Sequence, residues 1–145
     1  MITAVDTSVL LDVFGPDPKF GPGSKHALQR VLREGTLVAC EVVWAELGAA
    51  FPSEELLERT LEHLGVRFEP LSQQAGLRAG SAWREYRARG GRRERVAADF
   101  LIGAHALTSA DRLLTRDRGF FRDYFTGLSI LDPSAAADQA PGTGA

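Results

Sequence analysis

The sequence is poor in cysteine, lysine and long apolar runs, and each shortage excludes a class of protein. Cys40 is the single cysteine, which rules out an internal disulfide and favours a reducing compartment. No apolar run reaches the ~18–20 residues that a membrane span needs, and Met1-Ile2-Thr3 does not begin like a signal peptide. We therefore expect a soluble, cytoplasmic protein that does not contact a membrane.

Several motifs for phosphate binding and nucleophilic catalysis are also missing. A P-loop needs a lysine after its glycines, but the lysines are Lys19 and Lys25, and neither follows a strand in that pattern. Residues 6–9, the first predicted strand-to-helix turn, contain no glycine, which excludes a dinucleotide fingerprint. No Gly-x-Ser-x-Gly elbow is present, and Cys40 fits a packed strand residue better than a nucleophile. Metal-assisted phosphodiester chemistry is the class that remains.

The chain is about one domain long, and its arginines are unevenly distributed. It has 145 residues and a net charge of −2, yet residues 78–95 hold seven arginines against two glutamates, and residues 112–122 hold four more. Guanidinium groups bind phosphate through a bidentate fork, so these segments fit a phosphate-contacting face. A solvated surface encoded by a GC-rich genome explains the same residues, and both interpretations stay open at this point.

Short β-prone runs alternate with amphipathic helical patterns along the chain. Strands are predicted at residues 2–5, 36–40, 66–71, 112–115 and 128–131, the third of them at a sheet edge because it contains a proline. Helices are predicted at residues 24–34, 42–51, 53–64, 72–89 and 98–107, the first capped by Ser24, and residues 120–125 are predicted to form an aromatic turn. This alternation predicts an α/β domain, residues 1–133, with a parallel four- to five-stranded sheet between helices. Residues 134–145 lack apolar periodicity and are predicted to be a disordered tail.

Four carboxylates are predicted at the carboxyl edge of this sheet, where open parallel sheets bind ligands. Asp6 follows the first strand, Glu46 lies on the helix after the second, Asp99 begins the central helix, and Asp117 follows the fourth strand. Taken singly, Asp6 and Asp99 also fit helix caps, Glu46 a solvated helix residue and Asp117 a turn former. Crowded carboxylates repel one another, and a hard divalent cation such as Mg²⁺ relieves that repulsion. His105, six residues after Asp99, lies on a different side of its helix and is not expected to act as a base.

Four stretches, in this order and at these separations, resemble the PIN-domain ribonucleases, specifically VapC-type toxins of type II toxin–antitoxin pairs. They are Ala4–Ser8, Trp44–Leu47, Ala98–Leu107 and Leu113–Phe125. The closing Leu128–Pro133 is also typical of the family. The resemblance covers residues 1 to about 133 and implies a single PIN-like domain.

The resemblance implies an endoribonuclease that depends on Mg²⁺ or Mn²⁺. Asp6 and Asp99 would be the principal metal ligands, and Glu46 and Asp117 would complete the acidic cluster, directly or through water. Ser8 and Thr115 match polar positions that line such pockets. Hydrolysis by metal-activated water would leave a 5′-phosphate and a 3′-hydroxyl.

The resemblance also implies partners. An RNA strand would be gripped by arginines of the two basic segments, namely Arg92, Arg93, Arg95, Arg116 and Arg118. A second copy of the chain would form a homodimer, and a VapB-type antitoxin would block the acidic site. Two alternatives stay open: a PIN nuclease with a housekeeping role in RNA processing or decay, and a non-catalytic PIN module that binds RNA or protein.

Overall fold

The computed structural model describes residues 1–92 and 97–134 of the chain. Five strands form one sheet: β1 (Ile2–Val5), β2 (Thr36–Ala39), β3 (Val66–Phe68), β4 (Arg112–Leu114) and β5 (Ile130–Leu131). The helices of the described ranges are α1 (Thr7–Phe14), α2 (Gly21–Glu34), α3 (Glu41–Ala50), α4 (Glu54–Leu64), α5 (Gln73–Ala88), α6 (Ala97–Ser109) and α7 (Arg118–Tyr124). The predicted α/β class with a parallel sheet is confirmed.

The sheet reverses its order next to its first strand. The strand order is β3-β2-β1-β4-β5, and every pairing is parallel. The chain runs outward from β1 to β3, then crosses back to the other side of β1 to add β4 and β5. The carboxyl ends of β1 and β4 therefore flank the switch point, which is where such sheets bind ligands. The edge position predicted for the third strand is also confirmed.

The central strands are buried because helices cover both faces of the sheet. Ala4, Val5, Leu37, Leu113 and Leu114 are each at most 2% exposed. Strands buried on both faces read as continuous apolar runs rather than alternating ones, which is the pattern of the sequence here. The sheet is thereby a rigid support for the side chains at its carboxyl edge.

Helix α6 crosses the middle of the fold and carries Asp99 in its first turn. The next residue, Phe100, is fully buried, and its ring stacks on Trp83 at 5.4 Å and meets Phe120 edge-on at 5.3 Å. Losing a buried phenylalanine ring typically costs about 3–5 kcal/mol of stability. This packing fixes the first turn of α6 and, with it, the position of Asp99.

Two predicted helix starts and one predicted helix end are confirmed in atomic detail. The Ser53 hydroxyl accepts a hydrogen bond from the Leu56 amide at 3.2 Å, and the Ser72 hydroxyl accepts one from the Ala75 amide at 3.0 Å. Gly65 ends α4 in the left-handed region with φ of 89°, which glycine adopts without a Cβ penalty.

The prediction that Ser24 caps a helix is wrong. Helix α2 begins at Gly21, with Pro22 in its first turn, where proline's fixed φ favours helix initiation. Ser24 lies inside the helix and is fully buried, and its hydroxyl donates to Asp12 Oδ2 at 2.8 Å. The serine therefore binds a side chain from α1 instead of the backbone of its own helix.

The predicted aromatic turn at residues 120–125 is mostly helix. Helix α7 runs from Arg118 to Tyr124, and Phe121 and Phe125 are four residues apart and both buried. The Phe125 ring packs so closely on Gly103 of α6 that a Cβ at that position would overlap it. Strands β3 and β5 are shorter than predicted, at Val66–Phe68 and Ile130–Leu131. The predicted tail, apart from Ser134, lies outside the described residues.

Helices long and apolar enough to cross a membrane are absent from residues 1–92 and 97–134.

Candidate active site

Asp6 lies at the carboxyl end of β1, beside β4. Its backbone N–H donates to the Leu114 carbonyl at 2.9 Å, which extends the pairing of the two strands by one residue. Asp6 also occupies the N-cap position of α1, but its side chain makes no capping hydrogen bond. The helix-cap alternative is therefore right about the position of Asp6, but its carboxylate does not cap the helix and lines a cleft at the switch point instead.

Thr115 connects the two strand ends. Its side chain is fully buried, and its hydroxyl donates to Asp6 Oδ2 at 2.8 Å. The same hydroxyl oxygen accepts a hydrogen bond from the Asp117 backbone N–H at 3.0 Å. A single threonine thus links the first predicted acid to the loop that carries the fourth.

A second threonine connects α3 to the same cleft. Thr7, the residue after Asp6, is buried, and its hydroxyl donates to Glu46 Oε1 at 2.7 Å. This hydrogen bond orients a carboxylate that is otherwise exposed on its helix. The alternative that Glu46 is only a solvated helix residue is therefore incomplete.

The four predicted acids converge on one cleft of about 480 Å³. Its lining residues are Asp6, Thr7, Ser8, Leu11, Glu46, Asp99, Arg116 and Asp117. Ser8 lies where it was predicted, whereas Thr115 is buried behind Asp6 and acts on the cleft through that carboxylate. Asp99 lies within the first turn of α6, whereas a capping residue would precede the helix, so Asp99 is not the N-cap residue of α6.

Thr7 and Asp12 were not among the site residues predicted from the sequence. The signal for Asp12 was available, because it is an acid in the apolar run of α1 and such a residue needs a compensating partner. The hydroxyl of Thr7, next to Asp6, gave no comparable signal in one sequence.

Asp6 has a strongly shifted pKa. Its carboxyl pKa is raised from 3.8 to about 6, mainly by burial and also by the negative charges of Asp99 and Glu46. The hydrogen bonds from the Thr115 hydroxyl and the Thr7 backbone act in the opposite direction. The negative charges of two other acids therefore disfavour ionisation of Asp6, which is the situation a bound cation relieves.

Removing the Thr115 hydroxyl is expected to move the pKa of Asp6 above about 6, because that hydrogen bond favours the ionised carboxylate. Thr115→Val has the same shape without the donor, and Thr115→Ser, which retains the hydroxyl, is the matched control. The measurement is an NMR pH titration of the Asp6 carboxyl carbon in all three proteins. A titration that is the same in the valine variant as in the wild type would contradict the assigned hydrogen bond.

The donor set fits a hard divalent cation. All the candidate ligands are carboxylate oxygens, which suit Mg²⁺ or Mn²⁺. Within the described parts of the chain, no three Asp, Glu, His or Cys side chains are arranged as a ready-made metal site. Mg²⁺ commonly takes only one or two carboxylates and completes its shell with water and substrate phosphate. The residues present fit a cation held mainly by two acids.

Histidine is not part of this site. His105 is 1% exposed on α6 and does not line the cleft. Burial lowers its pKa below the ordinary value, against the opposing influence of Glu69 and Glu41. The neutral form of His105 is therefore favoured, as expected for a histidine in the core.

The arginines predicted to bind RNA have different surroundings. Arg92 and Arg118 are exposed, whereas Arg93 and Arg95 lie outside the described residues. Arg116 lines the cleft, but its guanidinium donates to Asp12, at 2.8 Å from Nε and 3.1 Å from Nη2. The RNA-binding role of this set stays a prediction.

A parallel α/β domain with an acidic cleft at the switch point is the class that this fold and site define. The sequence profile of the PIN domain matches residues 3–125. The chain belongs to the PIN domain family.

Solved structures with the same fold come from toxin–antitoxin systems. VapBC2 from Rickettsia felis, bound to a DNA fragment from its promoter, is 20% identical with a TM-score of 0.71, covering 91% of this chain and 98% of that one. VapBC-1 from nontypeable Haemophilus influenzae is 22% identical with a TM-score of 0.70, covering 92% and 99%. VapC20 from Mycobacterium tuberculosis, a toxin that cleaves the sarcin–ricin loop, is 18% identical with a TM-score of 0.54, covering 88% and 98%. No curated protein sequence matches the chain.

Proposed function

We propose that this chain is a metal-dependent endoribonuclease that acts as the toxin of a VapC-type toxin–antitoxin pair. The observation that carries the proposal is the convergence of Asp6, Glu46, Asp99 and Asp117 on one cleft at the switch point. The raised pKa of Asp6 supports it, because strongly perturbed carboxylates in a cleft are typical of functional sites. Structural neighbours from VapBC systems, one of them described as cleaving the sarcin–ricin loop, support the same substrate class.

Asp6 and Asp99 would hold the cation, and Glu46 and Asp117 would orient the water molecules around it. A bound Mg²⁺ or Mn²⁺ lowers the pKa of the attacking water and offsets charge on the scissile phosphate. The water oxygen would form a bond to phosphorus and give up one proton to solvent, and the bond from phosphorus to the 3′ oxygen would break while that oxygen takes one proton from solvent. The products are a 5′-phosphate and a 3′-hydroxyl.

The residues around the acids have defined tasks in this mechanism. Thr115 and Thr7 orient Asp6 and Glu46 by donating one hydrogen bond to each, as second-layer partners of metal ligands do. The exposed Arg92 and Arg118, together with Arg93 and Arg95, would neutralise phosphates that flank the scissile bond.

A VapB-type antitoxin is the proposed protein partner, and a second copy of the chain is the other. An apolar groove of about 770 Å³ lies along one face of α4 and beside the ends of α1 and α2, and such grooves bind the apolar face of an amphipathic helix. Leu56 on its rim is 39% exposed, and Phe14 and Leu64 line it. This groove is where an antitoxin segment would dock.

The proposed function is tested by incubating the purified chain with a pool of structured RNAs in EDTA, Mg²⁺ or Mn²⁺. We expect discrete products with 5′-phosphate ends that appear only with metal. Growth arrest on expression, relieved by co-expression of a small adjacent gene, would favour the toxin over a housekeeping nuclease. RNA binding without cleavage under every metal condition would overturn the proposal and favour a non-catalytic module.

A further inference from the structure

Arg116 is the middle residue of the short loop after β4, between two residues of the candidate site. Thr115 on one side donates to Asp6, and Asp117 on the other lines the cleft. The Arg116 side chain itself turns toward α1 and engages both oxygens of Asp12, with Nε to Oδ2 at 2.8 Å and Nη2 to Oδ1 at 3.1 Å. Such a bidentate pair fixes orientation as well as distance.

The position of Asp12 is itself fixed from a second direction. Its carboxylate is 5% exposed, and the Ser24 hydroxyl of α2 donates to the same Oδ2 at 2.8 Å. The Arg116 guanidinium also lies over the Phe20 ring, with its Cζ 4.0 Å from the ring centre. Arg116 is therefore held directly by Asp12 of α1 and by the Phe20 ring, and indirectly by Ser24 of α2, although 31% of its side chain stays exposed.

We propose that Arg116 is a positioning residue, whose bidentate pair with Asp12 holds the Thr115–Asp117 loop so that both residues act on the acidic cleft. The proposal rests on the nuclease function proposed above. It assigns Arg116 a role different from gripping RNA phosphate. Two of the guanidinium donors already bind a buried carboxylate, and releasing them would leave that charge unpaired.

The chain contains a matched control at the other end of the same strand. Arg112 begins β4, donates to Thr3 Oγ1 at 2.9 Å through Nε, and reaches Glu34 Oε2 at 2.7 Å through Nη2. Like Arg116, it joins the β4 segment to a carboxylate on a neighbouring helix. It lies at the amino edge of the sheet and does not line the cleft.

The experiment compares Arg116→Lys with Arg112→Lys, since lysine keeps the charge but cannot form the bidentate fork. With the RNA cleaved in the assay above, we expect Arg116→Lys to lower kcat by about 10–100-fold, as loss of a second-layer partner does. KM for RNA should stay within about twofold of the wild-type value, because binding of the strand is unchanged. Arg112→Lys should leave both constants unchanged.

A second readout follows the loop without any turnover. The Asp117 backbone N–H, hydrogen-bonded to Thr115, should exchange with deuterium at least about tenfold faster in Arg116→Lys than in the wild type or Arg112→Lys. If Arg116→Lys does not fold, Asp12→Asn replaces it, because asparagine retains the size and one acceptor oxygen.

The outcomes separate this proposal from the function on which it rests. A raised KM with unchanged kcat would overturn it and make Arg116 an RNA contact, and unchanged exchange of the Asp117 amide would also overturn it. If the wild-type chain cleaves no RNA, the nuclease proposal fails. The amide exchange then still decides whether the pair with Asp12 holds the loop.

Discussion

The Asp6→Asn variant is expected to cleave RNA at least about 100-fold more slowly than the wild type, because loss of a metal ligand should cost more than loss of a partner behind one. Asp6 follows β1 and accepts a hydrogen bond from the Thr115 hydroxyl. It is also close enough to Asp99 and Glu46 for their negative charges to raise its pKa. Asparagine has nearly the same shape and retains one oxygen but no negative charge. The measurement is kcat/KM with Mg²⁺ or Mn²⁺ on the RNA identified in the cleavage assay.

Asp111→Asn is the matched control for this variant. Asp111 is exposed and lies at the amino end of β4, where its carboxylate accepts from the Ile2 backbone N–H at 2.6 Å. The same substitution there changes the net charge identically at the opposite edge of the sheet. Equal loss of cleavage in the two variants, or full activity in Asp6→Asn, would contradict the assignment of the cleft as the active site.

The second large effect is on stability, and its sign follows from the pKa of Asp6. That pKa is raised from 3.8 to about 6 by folding, so the group is protonated in both the folded and the unfolded state only well below pH 3.8. As the pH rises from about 4 to about 6, the unfolded state ionises while the folded state retains the proton. The folded state therefore loses stability over this interval, by about 3 kcal/mol for a shift of this size.

Asp6→Asn should remove that loss and stabilise the metal-free protein above pH 6. The measurement is the free energy of unfolding by urea in EDTA, at about pH 4, 5, 6 and 7.5. The control is Asp123→Asn, a substitution at an exposed position. Mg²⁺ or Mn²⁺ at about 100 times its Kd should then add about 2.7 kcal/mol to the wild type but much less to Asp6→Asn. Parallel pH curves for the wild type and Asp6→Asn would contradict the raised pKa of Asp6, and equal metal responses would contradict its assignment as a metal ligand.

Most of the fold could be predicted because local patterns determine it. The β-prone runs predicted at residues 2–5, 36–40 and 112–115 contain the three central strands, and the helix starts at Ser53 and Ser72 follow from local hydrogen bonding. The placement of the four acids also followed, because parallel strands bring their carboxyl ends to one edge.

The errors and omissions share a different physical origin. Ser24 was predicted to cap its own helix but binds Asp12 twelve residues earlier, and Arg116 reaches the same carboxylate from 104 residues away. Such partners depend on which helix faces which, and periodicity in one segment carries no information about that. Helix α7 was not predicted, because four aromatic residues among six do not show a helical pattern on their own. The helix depends on the packing of Phe125 against Gly103, which is distant in sequence.

The hydrogen bond from Thr115 to Asp6 joins residues 109 positions apart. During synthesis β1 is made long before its neighbour β4, which begins at Arg112. Non-local pairing of this kind slows folding and leaves one side of β1 unpaired until β4 has been made. A truncated or stalled chain that ends before Thr115 therefore lacks Asp117, one of the four acids of the cleft, and also the threonine that donates to Asp6.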